Sequence, residues 1–383
     1  MSFANKLLLA TSIIIMSIVH SSSGFGQHSE MKTVDTVNKI RERCMAILEK
    51  AFASEDAFIR SAAVRAAGES EDTTLLPMLK KGSMDFYPTA RLFALQGIKR
   101  VSNDEALNLA KYLLADKNVW VKSAALAEIG NSKNQKTIPI IKPFLEDTDP
   151  MIRLAAAFAL YRLGEKTYLS KITDSLTTGD VVNRYQAISY LGEIGSDEAI
   201  EHLVNLFDDE RDEVTAYSLK AIGGNVKIEM LSNLKKLVLS PNPSVRHNAL
   251  LLLGYLPATA SLKTVKKYCN DEDSFVRLSS AISLHRLNSE ACMGTLDSLL
   301  GDRDFAIRSS AARVMGEITI PNRMKLLADM LGDPNSRVRT AAVRAVGMVG
   351  GAEAFYLLAQ MLDDPKEAIR AYAAGNLLHL LKK

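Results

Sequence analysis

The chain has 383 residues, 47% of them hydrophobic, 24% charged and 6% aromatic, and its 47 basic and 44 acidic side chains leave a net charge of +3. That balance excludes a disordered, collagen-like or disulfide-stapled chain. Near-neutrality gives no strong pull toward nucleic acid or anionic lipid, and at about 150 residues per domain the length alone would suggest two or three globules.

The first element in chain order is an export signal. Lys6 precedes an uncharged run from Leu7 to Val19, then His20, three serines and Gly24-Phe25-Gly26. A short positive start, an apolar stretch below the roughly 20 residues of a membrane span and a small-residue tail define residues 1–26 as a secretory signal peptide. Gly24 and Gly26 supply the small residues before the cut, so the mature chain begins at Gln27 and 27–34 form a short lead-in. The alternative is an uncleaved segment that holds the protein to a membrane. No later run is long and apolar enough to span one, so an exported protein, periplasmic or secreted, is expected. Cys44, Cys269 and Cys292 are odd in number and lack CxxC spacing. They read as buried free thiols in preference to a bridge or a metal site.

From residue 35 to 383 the chain repeats one unit. A helix from Asp35 to Ala53, carrying Ile40, Met45, Ile47 and Leu48, precedes the first copy. A basic register mark then falls at Arg60, Thr89, Lys122, Arg153, Arg184, Thr215, Arg246, Arg277, Arg308, Arg339 and Arg370. The first two intervals are 29 and 33, and the other eight are all 31, a regularity that chance does not produce. Such a period signals a repeat array.

The columns around the mark spell a helix. Val or Ile stands one residue before it, as at Ile59 and Ile369, and Ala three after, as at Ala63, Ala156 and Ala342. Apolar residues four and seven after complete one face of a 3.6-residue period. Gly stands eight after the mark at Gly68, Gly97, Gly130, Gly192, Gly223, Gly254, Gly316 and Gly347, where it either lets a neighbouring helix approach or ends its own. Asp or Asn stands four before at Asp56, Asp85, Asn118, Asp149, Asp180, Asn242, Asp273, Asp304 and Asn335. These are N-cap residues, whose side chains accept from unpaired first-turn N–H groups. A second apolar-periodic stretch precedes each cap, so every unit is helix, turn, helix. A helix pair cannot bury its apolar face alone, and eleven pairs stacked on one another make an elongated right-handed all-α solenoid. The last helix, with Leu377, Leu378, Leu380 and Leu381, is apolar for a free end, so either Lys382 and Lys383 suffice to cap it or it meets something.

The unit D-x-x-V/I-R-x-x-A-x-x-A-L/M-G-x-I/L resembles the HEAT repeat, in its short phycobilisome-lyase-type variety, over about 350 of the 383 residues. The resemblance implies an α-α superhelix whose second helices line a concave face. It also implies a structural ladder between neighbouring repeats formed by Asp149, Arg153, Arg184, Arg246, Asp273, Arg277, Asp304, Arg308, Arg339 and Arg370. Family members range from tetrapyrrole lyase subunits and a di-iron hydroxylase to DNA-binding and protein-binding scaffolds.

Residue chemistry separates these. His20, His28, His202, His247, His285 and His379 are scattered, none is followed by Glu, and there is no HExxH, so neither a His-Glu di-iron site nor a zinc site is expected. Phosphate-loop and nucleophile-elbow motifs are absent, and the carboxylate runs sit at inter-helix turns. No catalytic residue, cofactor or metal is expected. On the helix face not used for packing, Phe158, Tyr190, Tyr217, Tyr255 and Tyr372 stand among cations such as Arg162, Lys220 and Arg286. Exposed aromatics beside cations are material for interaction hot spots. Phe158, Arg162, Tyr190, Tyr217, Lys220 and Tyr255 are therefore the candidate partner-binding residues, the alternative being rings that fill gaps between neighbouring helices. The expectation is an exported, non-enzymatic scaffold that binds a protein or peptide and not nucleic acid. The alternative is a lyase- or chaperone-like subunit handling a tetrapyrrole or other small molecule.

Overall fold

The computed structural model describes residues 26–178 and 180–382, and among the described residues every regular element is helical and none is a strand. Residues 1–25, on which the export-signal expectation rests, lie outside that range. Helix α1 (Gly26–Phe52) includes residues 27–34, so the helix expected from Asp35 begins nine residues earlier. The first marked helix is α2 (Ala57–Ser70). In sequence order there follow α3 (Leu76–Gly82), α4 (Pro88–Val101), α5 (Asn103–Leu113), α6 (Val119–Asn131), α7 (Ile138–Ile141), α8 (Pro150–Arg162), α9 (Leu169–Thr178) and α10 (Val181–Ile194). The series continues with α11 (Asp197–Val204), α12 (Asp212–Ile222), α13 (Leu231–Leu237), α14 (Pro243–Leu253), α15 (Ala258–Val265) and α16 (Ser274–Arg286). It ends with α17 (Met293–Leu300), α18 (Phe305–Glu317), α19 (Arg323–Leu331), α20 (Ser336–Val349), α21 (Gly351–Gln360) and α22 (Glu367–Lys382). This is an all-α solenoid of helix pairs.

The caps start the marked helices as expected, with one exception. Asp56 accepts from Phe58 N at 2.7 Å, Asp149 from Met151 N at 2.9 Å and Asp273 from Val276 N at 3.0 Å. Asp304 accepts from Ala306 N at 2.8 Å and Asn335 from Arg337 N at 2.9 Å. Asp85 does not cap α4, whose N-cap is Tyr87 with no side-chain bond. The register mark of that repeat is therefore Arg91 and not Thr89. Arg91 Nη1 donates to the carbonyls of Asp85 and Phe86 at 2.8 and 3.1 Å, as Arg60 Nη1 donates to those of Ser54 and Glu55 at 3.1 and 2.9 Å. With that correction Ala94 and Ile98, both buried, enter the columns three and seven after the mark. All ten intervals become 31.

The ladder exists, but its acids are different ones. Asp149, Asp273 and Asp304 only cap their own helices. The guanidiniums reach the aspartate two residues before the next cap, 25 residues on. Arg60 pairs with Asp85 at 2.7 and 3.0 Å, Arg308 with Asp333 at 2.7 and 3.0 Å, and Arg339 with Asp364 at 2.8 and 3.2 Å. Arg184 pairs with Asp209, and Arg246 with Asp271 at 2.9 Å. Arg277 stops at Ser274 Oγ, 2.6 Å away, and that hydroxyl donates to Asp302 at 3.1 Å. Arg153 and Arg370 hold the carbonyls of their own turns, Asp147 and Thr148 for the first, Asp364 and Pro365 for the second. Each such contact is a charge-assisted bond that fixes a turn to the start of the helix after it.

Two compact units share the chain: Met1–Ala106 with Arg308–Lys383, and Leu107–Ile307. In the first, the last helix α22 packs on α1 and α2. Its Gly375 lies so close to α2 that an added Cβ would stand 2.4 Å from the Ala66 carbonyl oxygen. Arg344 forks onto Glu69 at 2.6 and 3.1 Å, and Lys382 Nζ donates to the Glu71 carbonyl at 2.7 Å. Leu377 and Leu378 are thereby buried, and with them Cys44, Leu48 and Ala51 of α1. The apolar last helix is no free end, because it is covered by the first repeat.

In the second unit the glycines eight after the mark allow close approach, as expected. A Cβ on Gly130 would stand 2.6 Å from Ala159 Cα, and one on Gly254 2.8 Å from Ser283 Cα. Gly223 instead ends α12, with φ +49 and open space around it.

Cysteine chemistry departs from expectation. Cys269 and Cys292 form a disulfide with Cα atoms 5.4 Å apart, and only Cys44 is a free thiol. Cys269 follows α15 and Cys292 caps α17, the first helices of successive repeats. Stacking brings these two points together at a separation of 23 residues, which a search for CxxC spacing does not detect. Burial pushes the Cys44 thiol up to about 12, so its reactive thiolate is scarce at neutral pH. Thiol titration without reductant should find no reactive group in the native chain and one in denaturant, with the other two appearing only after reduction. Three thiols in denaturant alone would contradict the bridge.

Candidate functional site

The sequence-derived surface divides into buried and exposed parts. Phe158 is fully buried and Tyr190 is 3% exposed, which corrects their assignment as partner-binding residues. Their rings stack at 4.1 Å between centroids, 9° from parallel. The reason is geometric. Gly130 brings α6 close to Ala159 of α8 and Gly192 brings α10 close to Ala221 of α12, but between α8 and α10 the glycine position is occupied by Tyr161, and positions five and six after the mark face the seam there. The two rings fill that seam between α8 and α10. Burial accordingly raises the Tyr190 hydroxyl well above its usual range. Tyr372 is likewise buried, below the Arg344 guanidinium at 5.9 Å.

The other four candidates reach the surface of the Leu107–Ile307 unit. Tyr217 is 41% and Tyr255 48% exposed. Lys220 lies one turn along α12 from Tyr217, its ammonium 5.6 Å from that ring, and the Arg286 guanidinium lies 4.3 Å from the Tyr255 ring. Cations over exposed rings are cation–π pairs of roughly 0.5–1 kcal/mol. Arg162 is half-buried and spans its neighbours, donating to Asn131 Oδ1 at 2.9 Å and to the Glu193 carbonyl at 3.4 Å. It is more a strut than a recognition group.

Sequence reasoning missed the half-buried rings that flank the exposed ones. Tyr185 stacks on Tyr217 at 4.6 Å, and His247 meets Phe275 edge-on at 6.3 Å. Tyr185 and His247 both stand one residue after the mark. The His247 Nδ1 lies 3.1 Å from the Phe275 carbonyl. Burial holds its pKa below the ordinary histidine value, so the imidazole is neutral near pH 7. Among the described residues no group of three or more His, Cys, Asp or Glu could hold a metal ion. No helix there is long and apolar enough to cross a membrane.

A helix-pair array with an exposed aromatic row defines a repeat protein of the α-solenoid class. The family model for HEAT repeats matches residues 82–160, 106–183, 138–223, 231–293 and 293–378, so the chain belongs to the HEAT-repeat family. No curated protein matches the sequence. Among solved structures, human deoxyhypusine hydroxylase in complex with glycerol is 20% identical with a TM-score of 0.32, over 65% of this chain and 97% of that one. An engineered protein is 16% identical with a TM-score of 0.30, over 90% of this chain and 99% of that one. Kap121p is 14% identical with a TM-score of 0.41; the match covers 96% of this chain and 50% of that one, about half its length.

Proposed function

We propose that this protein is an exported, non-enzymatic scaffold that docks a protein or peptide partner on the second-helix face of its Leu107–Ile307 unit. One observation carries the reading: consecutive repeats expose Tyr217, on α12, and Tyr255, in the turn that follows α14, each beside a cation. Rigid aromatic rings next to Arg or Lys give large contact area at low entropic cost, and such groups dominate interface energetics. The uniform 31-residue period supports membership of the short phycobilisome-lyase-type variety. Export is supported by the signal-like residues 1–26 and by the Cys269–Cys292 bridge, a bond that persists in oxidising compartments and is rare where thiols are kept reduced.

The test is differential capture from the native envelope fraction. The double variant Tyr217→Ala, Tyr255→Ala should lose a discrete partner by at least about tenfold, the scale of a single hot spot, with helicity and Tm unchanged. Equal capture by both chains, or a loss matched by unfolding, would sink the assignment.

A further inference from the structure

The ladder is interrupted at the junction that the disulfide spans. Arg184, Arg246, Arg308 and Arg339 each pair with the aspartate 25 residues on. Arg277 does not reach Asp302 directly. Its Nη2 donates to Ser274 Oγ at 2.6 Å, and that hydroxyl donates to Asp302 at 3.1 Å. On the first-helix side of the same junction, Cys269 of one repeat is bonded to Cys292, the residue before α17 of the next. A covalent link therefore stands where the ion pair gives way to a relay through a hydroxyl.

Three features make that link one the chain can break and remake. Cys269 and Cys292 both keep part of their surface in solvent, unlike the fully buried Cys44. The Cys292 backbone is left-handed, with φ +64 and ψ 12, and its side chain makes no cap bond to α17. A residue with a Cβ holds that conformation only where its surroundings impose it. Asn322 adopts it before α19 without a bridge, as asparagine does readily; at Cys292 the bond to Cys269 supplies the restraint. Ser280 stands three after the mark, where Ala156 and Ala342 stand in their repeats. Its buried hydroxyl donates to the Val265 carbonyl at 2.8 Å and lies 4.0 Å from Cys269 Sγ and 3.8 Å from Cys292 Sγ. The oxygen retains lone pairs for an S–H, so the separated thiols have an acceptor in place.

We propose that the Cys269–Cys292 bond is a redox-sensitive clamp on α17, opened and closed by thiol–disulfide exchange with a dithiol partner. A thiolate of the dithiol attacks one of the two sulfurs. The Cys269–Cys292 bond breaks, leaving a mixed disulfide and a thiolate that takes up a proton. The second thiol of the reductant then displaces the remaining sulfur. Two electrons and two protons thus pass to the cysteine pair, and the reductant leaves as a disulfide. Opening is confined to the first-helix side. There the Thr295 hydroxyl on the Cys269 carbonyl, at 3.3 Å, is the weaker tie that remains, and the buried Leu296 and Leu299 keep α17 from unfolding. On the second-helix side Gly254 holds α14 close to α16, an added Cβ standing 2.8 Å from Ser283 Cα, and the bond plays no part in that contact.

Hydrogen exchange on the full chain tests this, before and after dithiothreitol in native buffer. Dithiothreitol should reduce the bond without denaturant. Amides of residues 295–300 should then exchange at least about tenfold faster, while those of α12 and α14 keep their protection. Reoxidation should restore the slow rates. The chain with Cys269→Ser and Cys292→Ser should exchange fast in α17 with or without dithiothreitol. Cys269→Ser with Cys292→Asn should exchange more slowly there than the double-serine chain, because asparagine takes the left-handed backbone unaided. A bond that resists dithiothreitol until denaturant is added would overturn the clamp. So would unchanged exchange in α17 after reduction, or a rise shared equally by α12 and α14, the signature of a staple for the whole fold.

Discussion

Replacing Asp333 with alanine is expected to cost about 3–5 kcal/mol, the range for breaking a buried ion pair from one side. The Asp333 side chain is 9% exposed and that of Arg308 14%, so water replaces little of what the carboxylate supplies. Two bonds to the guanidinium are lost, and the Asn335 N–H loses its acceptor at 2.7 Å. Asn at position 333 keeps an acceptor for that N–H and should cost less. The pH dependence has a fixed sign. The Arg308 guanidinium, joined to Asp333 by hydrogen bonds, holds the carboxyl below the ordinary carboxylate value. The stabilisation is therefore complete above the unfolded pKa of about 3.9 and is lost as pH falls through the lower folded value. The gap between wild type and Asp333→Ala should close over that acidic range. Urea unfolding measured by helical signal across pH 2–7 checks this, and hydrogen exchange should place the loss in α18 and α20. A difference under about 1 kcal/mol at pH 7 would show that the ladder only decorates the packing.

The same ladder shows what a single sequence discloses. The period, the caps and the apolar stripe are local, so they were legible: Asp149 and Asp273 cap as their spacing requires. The ladder acids were also within reach, because Asp333 stands 25 residues after Arg308 as Asp209 does after Arg184. They were hidden by the caps two residues later, which share their chemistry. Thr89 was misread for the related reason that Asp85, a ladder acid, looks like a cap. Phe158 and Tyr190 failed differently. Whether a position five or six after the mark faces solvent depends on how far apart two helices sit, and between α8 and α10 Tyr161 stands where Gly130 and Gly192 stand in their own repeats. The disulfide and the seat of α22 are contacts between distant chain segments, invisible to any periodicity.

Leucine at position 375 is expected to unseat the last helix, at a cost of about 3 kcal/mol or more. A Cβ there would stand 2.4 Å from the Ala66 carbonyl oxygen, 2.8 Å from its carbon and 3.0 Å from Ala66 Cβ. Two of these atoms are backbone of α2 and cannot swing aside as a side-chain tip could, so the helices must separate. Ala at 375 should show the same direction with a smaller loss. Gly224→Ala, where an added Cβ meets nothing within 4 Å, is the control and should stay within about 0.5 kcal/mol. The readout is chemical as well as thermal. Cys44 is fully buried on α1, which α22 covers, so its reaction with a thiol reagent in the folded Gly375→Leu chain should accelerate many-fold. An unchanged midpoint and an inert Cys44 would mean that α22 is held by its outer contacts, Arg344 to Glu69 and Lys382 to Glu71, and not by the close approach. Terminal repeats of such arrays ordinarily need a polar outer face. Here Leu377 and Leu378 are buried in α22, which packs on α1 and α2 within the same unit as well as on its own neighbours α20 and α21.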